Sequence, residues 1–358
     1  MICFAGLRAM SQSVQESQEM SDAIRVYPGP ADWRAEDFAD EQWVDVLGEE
    51  EKRELEAAAR ALPDDEAQWL TMSRSDLDMP KLMPRLAAVS AELDRGRGFA
   101  LLRGIKLPST DEDYAYRVNW ILALALGDVI AQNAQGEVIG AVQALVEAND
   151  NGINTRGYVS NAELRFHCDG GDVASLLCVR QAPEGGFNSL VSMVAIHNTM
   201  QQECPRHLQT LYHGMPLFMR AEGELDSAEM PRRPLFYDVD DSLLAYVNLR
   251  LMELPYESRG VPMPAAERAA LDALEEIAER PEFKLSFKLQ PGDMLLVHNF
   301  VCMHKRSGFT DDPDPARSRL MLRLWYNQPG GRVETLQPPE QRGGYFTSAP
   351  YVIRHKVG

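Results

Sequence analysis

The chain reads as a mixed α and β (α+β) protein with a β-rich part, and three observations predict it. Apolar runs of strand length, bounded by glycine and proline turns, recur from Phe99 to Trp325. Apolar residues at helical spacing dominate the region before Phe99 and recur between the strands. No internal repeat or low-complexity block interrupts the pattern, and 45% apolar content over 358 residues suffices for a substantial core.

The elements follow in order. Residues 1–30 are polar and rich in Ser, Gln and Glu, with further methionines at Met10 and Met20, and are expected to be a disordered tail whose true start could be a later methionine. Residues 31–95 are expected to be a helical region packed on the outside of the sheet. Its helices are placed at Glu41–Leu47, through the charged run Glu51–Leu55 into Ala57–Ala59, and over roughly Pro84 to Leu93 with Leu86, Val89 and Leu93 on one face.

Residues 96–358 are expected to form the core domain. Phe99–Arg103 is its first strand, and Asp111 to Leu126 a helix with Tyr114, Val118, Ile121 and Leu122 on one side. Turn signals stand at Gly136, Gly152 and Gly157. Val173–Val179 and Asn188–Met193 are strands separated by a turn at Ala182–Gly186, and a helix follows near Ala195 to Met200. Gly292 to His304 reads as a turn, a buried strand, a short polar connection and a second strand; Thr310–Pro315 is a loop.

The formal charge of -18 repels phosphate backbones and anionic lipid headgroups, so neither nucleic acid nor a membrane is an expected partner. Five cysteines, odd in number and without CxxC spacing, indicate neither a disulfide framework nor a structural zinc site. With no stretch of transmembrane length and no secretory signal, a cytoplasmic location is the default expectation.

The chemistry concentrates in His167-Cys168-Asp169. In an extended segment His167 and Asp169 point to one side and Cys168 to the other, so one metal could take both ligands while Cys168 packs in the core. Two imidazoles and one carboxylate hold a non-haem ferrous ion on one face and leave other positions open. His304 is the best third ligand, and His298 is its rival.

Phe166-His167-Cys168-Asp169, the Gly185-Gly186 pair before a strand, Gly292-Asp293 before His304, and Arg319-Leu320-Met321-Leu322-Arg323-Leu324-Trp325 together resemble the taurine dioxygenase (TauD/TfdA) family of Fe(II)- and 2-oxoglutarate-dependent oxygenases, over roughly residues 95 to 328. The resemblance implies a double-stranded β-helix (jelly-roll) core flanked by helices, with Fe(II), 2-oxoglutarate and O2 as cofactor and cosubstrates. His167, Asp169 and His304 are then the metal ligands. Arg323 is the expected partner of the cosubstrate's remote carboxylate, with Arg319 near the same group. Asn188 stands where the family often carries a Thr or Ser that bonds the cosubstrate.

The implied reaction is hydroxylation of an unactivated carbon of a small molecule, with release of succinate and CO2. Asp169 favours it over halogenation, in which a small residue replaces the carboxylate; desaturation or ring formation remains open. The alternatives are a catabolic dioxygenase of sulfonates or aryloxy acids, and a metal-binding jelly-roll module without turnover. A homodimer is a possible assembly.

The remaining polar residues receive weaker assignments. Arg317 adds to the arginine cluster, Asp172 could orient a ligand or touch substrate, and Tyr246, Asn248 and Arg250 could reach the pocket. Asp238–Asp241 is a solvated turn, and His197, His207, His213 and His355 have no spacing that suggests a site.

Overall fold

Alternation of side chains along Leu320–Asn327 organises the molecule. In this computed structural model, which describes residues 25–38, 40–108, 111–144, 160–217, 232–336 and 349–354, Leu320, Leu322, Leu324 and Tyr326 face one apolar cluster and Met321 faces another. Residues 1–24 of the expected tail, Gly152, Gly157 and His355 lie outside the described residues.

That strand sits in a seven-stranded sheet with the order Val44–Val46, Phe99–Arg103, Met294–His298, Val173–Arg180, Leu320–Asn327 and Asp128–Ile130; Ile139–Val142 also pairs with Leu320–Asn327. A four-stranded antiparallel sheet has the order Leu285–Phe287, Asn188–Ser192, Cys302–Arg306 and Leu164–His167. Between the two sheets lie Leu101, Leu295, Val297 and Met321 from the first, with Leu190 and Cys302 from the second.

Helices cover the outer face of the large sheet. Glu49–Ala61, Leu82–Arg95 and Glu112–Leu126 bury Leu55, Leu86, Val89, Leu93 and Ile121 against Leu102, Leu296 and Leu322. Each such leucine or isoleucine contributes roughly 1.5–3 kcal/mol. The Asp111 side chain caps the third helix by accepting from the Tyr114 N–H at 2.9 Å. On the far side of the small sheet, Met193–Glu203, Pro205–Tyr212 and Ala265–Glu279 pack on Phe166, Cys168, Val191 and Met303.

The expectation of a helix over Glu41–Leu47 is corrected. Glu41–Trp43 is a single 3-10 turn, and Val44–Val46 is a strand parallel to Phe99–Arg103. Two β-branched residues flanking Asp45 suit a pleated edge, and pairing with an existing strand outweighs a helical pattern too short to propagate alone. The region before residue 96 therefore contributes to the sheet as well as covering it.

The Gly292-Asp293 turn is set by close packing. Gly292 has φ +87°, and a Cβ there would stand 2.2 Å from the Ile105 carbonyl oxygen. Asp293, fully buried, accepts two hydrogen bonds from Arg103 at 3.0 Å and one from the Gln290 N–H at 2.9 Å. Among the described residues no helix is long and apolar enough to cross a membrane.

Candidate metal centre and active site

Strand register places the candidate ligands. His304 lies opposite His167 on one side and Leu190 on the other, so both imidazoles project from the inner face of the small sheet. The ligand strand ends at His167, and Asp169 occupies the turn just beyond it. His167, Asp169 and His304 each present a ligand atom within 4.8 Å of the others. The two rings stand 4.4 Å apart between centroids, and the Nε2 atoms of His167 and His304 lie 3.9 and 3.6 Å from oxygens of Asp169.

Local bonds fix this arrangement. Nδ1 of His167 is 2.9 Å from the Arg165 carbonyl oxygen, which assigns its proton there and leaves Nε2 as the donor atom for a metal. Asn299, fully buried, accepts the Asp169 backbone N–H at 3.0 Å and donates to the carbonyls of Gly170 and Gly171 at 3.1 and 3.2 Å. Asn248 donates to the Cys168 carbonyl at 3.1 Å, and the Cys168 N–H donates to Val247 at 2.8 Å. The ligand tripeptide is thus held from both sides.

Electrostatics set the protonation of the cluster. Burial, helped by nearby His304, lowers the His167 pKa to about 4, so the ring is neutral at physiological pH. Burial by itself would raise the pKa of Asp169; the Arg323 charge, supported by the two histidines, prevails and holds the carboxyl well below the ordinary range. Burial pushes the Cys168 thiol up to about 12, consistent with its place in the outer apolar cluster.

Arg323, the expected carboxylate partner of the cosubstrate, faces Asp169. Its Nη1 donates to both oxygens of Asp169, at 3.0 and 3.2 Å, and its Nε donates to Oε1 of Gln132 at 2.8 Å. Gln132 returns its amide to the carbonyls of Val138 and Arg323 at 2.7 and 2.8 Å. Arg323 is therefore engaged at the ligand carboxylate, with its guanidinium 4.7 Å from the Trp325 ring centroid.

Arg319, four residues earlier and just before the strand, has the opposite character. It is 2% exposed, and its Nε and Nη1 have no hydrogen-bond partner. Asn188, 4% exposed, likewise leaves Nδ2 unpartnered. Beside them Gly185 and Gly186 adopt φ of +72° and +68°; a Cβ on Gly185 would stand 2.3 Å from the Gly308 carbonyl oxygen, and one on Gly186 would lie 3.6 Å from Nε of Arg319. The positive φ at both positions favours glycine, and at Gly185 the turn closes against the Gly308 carbonyl.

Several other candidates fall elsewhere. His298 packs near Arg332 and Asp94 and accepts the Phe300 N–H, outside the cluster formed by His304. Arg317 is exposed and pairs with Asp312 and Asp314, and Arg250 pairs with Glu257. Asp172 accepts the Gln328 N–H at 2.8 Å and serves the backbone. Tyr246 stands within electrostatic range of Asp169 and packs on Phe300. Asp240 and Asp241 form a tight turn with positive φ between Phe236–Val239 and Ser242–Ala245.

Sequence reasoning missed Asn299, Gln132 and Arg306. Arg306 carried a signal, since it stands two residues after His304 and shares its side of the strand. The other two carried none, because only the fold brings them to Asp169 and Arg323.

The chain has known relatives. A protein 32% identical over 296 residues, covering 81% of this chain and 87% of its own, is the FR-33289 synthase of Streptomyces rubellomurinus. Among solved structures, asparagine oxygenase in complex with Fe(II), 2S,3S-3-hydroxyasparagine and succinate superposes with a TM-score of 0.64 at 19% identity, over 86% of this chain and 100% of its own. The non-heme iron oxygenase OrfP in complex with Fe and alpha-ketoglutaric acid does so with a TM-score of 0.58 at 16% identity, over 79% and 94%. At these identities the two structures establish the shared fold. The family described as taurine catabolism dioxygenase TauD, TfdA matches residues 27–325, and the chain belongs to it.

Proposed function

We propose that His167, Asp169 and His304 hold the ferrous ion of this Fe(II)- and 2-oxoglutarate-dependent oxygenase, and that Arg319 with Asn188 receives the remote carboxylate of 2-oxoglutarate. The observation that carries the reading is the convergence of one carboxylate and two imidazoles within 4.8 Å on the inner face of the small sheet. Two histidines and one carboxylate on one side of an ion suit ferrous iron with open positions. When bound, iron, 2-oxoglutarate and dioxygen supply oxidative decarboxylation to succinate and CO2 coupled to hydroxylation of a substrate carbon.

The protein's own residues position and tune. His167 is turned by the Arg165 carbonyl, Asp169 is kept ionised by Arg323, and Asn299 fixes the turn that carries it. The remote carboxylate goes to Arg319 because its buried donors are unpartnered, whereas Arg323 is committed to Asp169 and Gln132. Arg323 is accordingly read as a positioning residue for the ligand carboxylate.

The substrate is a small molecule with an unactivated carbon, a reading supported by the hydroxylated amino acid bound to asparagine oxygenase. We read the two facing sheets as one double-stranded β-helix, supported by their alternating inner and outer faces. Residues 31–95 are read as part of the same catalytic body, since Val44–Val46 joins its large sheet.

The test is anaerobic titration of the apoprotein with ferrous ion and 2-oxoglutarate, following the weak visible charge-transfer band of the chelate. The band is expected in the wild type and absent from His167→Ala, Asp169→Ala and His304→Ala. A wild type without the band, and without succinate formation in air, refutes the reading.

A further inference from the structure

We propose that Arg306 is a second guanidinium for the remote carboxylate of the 2-oxo acid, making the cosubstrate pocket a two-arginine clamp around Phe309. The inference rests on the cosubstrate reading above and adds a residue to it.

Three placements bring Arg306 there. It lies directly opposite Asn188 across the small sheet, and an opposed pair projects to one side of the sheet. That side is also the side of His304, two residues earlier on the same strand. Its guanidinium stands 4.7 Å from the Phe309 ring centroid, and that of Arg319 stands 5.1 Å from the same ring. A strand of the small sheet and the residue just before Leu320–Asn327 thus bring one arginine each to one buried aromatic ring.

The pair lacks the charge it would need if it were only structural. Arg306 is 5% exposed, and its Nε and Nη1 have no hydrogen-bond partner, matching Arg319. Nη2 of Arg306 donates to the carbonyls of Ser160 and Ala162, which orients the fork and supplies no negative charge. Asp311, the acid that acts on Arg319, accepts the Arg319 backbone N–H through Oδ1 at 2.7 Å. Burying one guanidinium without an anion is unfavourable, and two within range of each other add repulsion. A carboxylate between them relieves both costs and meets donors already oriented for it.

The experiment compares two 2-oxo acids. 2-Oxoglutarate and 2-oxobutyrate share the chelating head, and only the first has a remote carboxylate. Each is titrated anaerobically into the Fe(II)-loaded wild type, Arg306→Met and Arg306→Lys, with the charge-transfer band as readout and a thermal melt as the check on folding. Loss of one charge-assisted contact predicts about tenfold or greater weakening of 2-oxoglutarate binding in Arg306→Met, with 2-oxobutyrate unchanged. Arg306→Lys, which keeps the charge and loses the fork, is expected to fall between, and it carries the test if the methionine variant does not fold.

Equal weakening of both acids assigns Arg306 to holding Ser160 and Ala162 and overturns the clamp, as does wild-type affinity for 2-oxoglutarate in the variants. A wild type that binds neither acid removes the cosubstrate reading, and the inference with it.

Discussion

Arg323 and Asp169 form a buried pair in which a single nitrogen, Nη1, contacts both carboxylate oxygens, at 3.0 and 3.2 Å. The pair spans the interior, joining a strand of the large sheet to the ligand turn beyond the small one. If Asp169 is a metal ligand as proposed, the pair makes Arg323 testable through metal affinity.

Replacing Arg323 by Gln removes the charge that chiefly opposes burial at Asp169. A carboxylate whose pKa is held down is lost as a ligand only in strong acid; without the arginine its protonation moves up toward neutral pH. Arg323→Gln is expected to bind Mn(II) about tenfold or more weakly at pH 6, with the deficit shrinking as pH rises. Electron paramagnetic resonance of free Mn(II) measures it, and a deficit independent of pH would argue against the electrostatic role.

The identity of the third ligand can be tested through stability. An ion that binds only the folded chain raises the melting temperature, by an amount that corresponds to about 2.7 kcal/mol at one hundred times the dissociation constant. Mn(II) is expected to raise it in the wild type and in His298→Gln, and to leave His304→Gln unchanged. The reverse pattern would make His298 the ligand in place of His304.

Asn299 makes three hydrogen bonds that hold the turn after Asp169. Asn299→Leu leaves a buried N–H and two carbonyls unpaired, at a cost of about 2–4 kcal/mol in urea unfolding. Metal affinity is expected to drop as well, since Asp169 loses its backbone anchor. An unchanged affinity in a destabilised variant would confine Asn299 to a structural role.

His197 is completely buried, bonds the Tyr212 hydroxyl through Nε2 at 2.7 Å, and has its pKa lowered by burial to about 4. The unfolded chain, with its histidine near 6.5, binds the proton more readily. Stability is therefore present above pH 6.5 and lost as pH falls toward 4, on the order of 3 kcal/mol for this residue. His197→Phe is expected to be less stable at pH 7 and to lose correspondingly less between pH 7 and 4.5 in urea titrations. A slope equal to that of the wild type would place the acid sensitivity elsewhere.

The sequence by itself singled out the candidate ligand set and the segments that carry it. Alternation in an extended segment sets His167 and Asp169 apart from Cys168, and the pattern of Leu320, Leu322 and Leu324 assigns Arg319 and Arg323 to the opposite side of an expected strand. These are local properties, governed by a repeat of two residues along the chain. Only the tertiary structure decided what each arginine meets. Arg323 and Arg319 are equivalent in pattern, yet the first contacts Asp169 while the second, with Arg306 and Asn188, keeps buried donors unpartnered, because cross-sheet distances and strand register are set by packing of residues remote in sequence. For the same reason Asn299 and Gln132 were invisible beforehand, and Val44–Val46 became a strand through a partner more than fifty residues away.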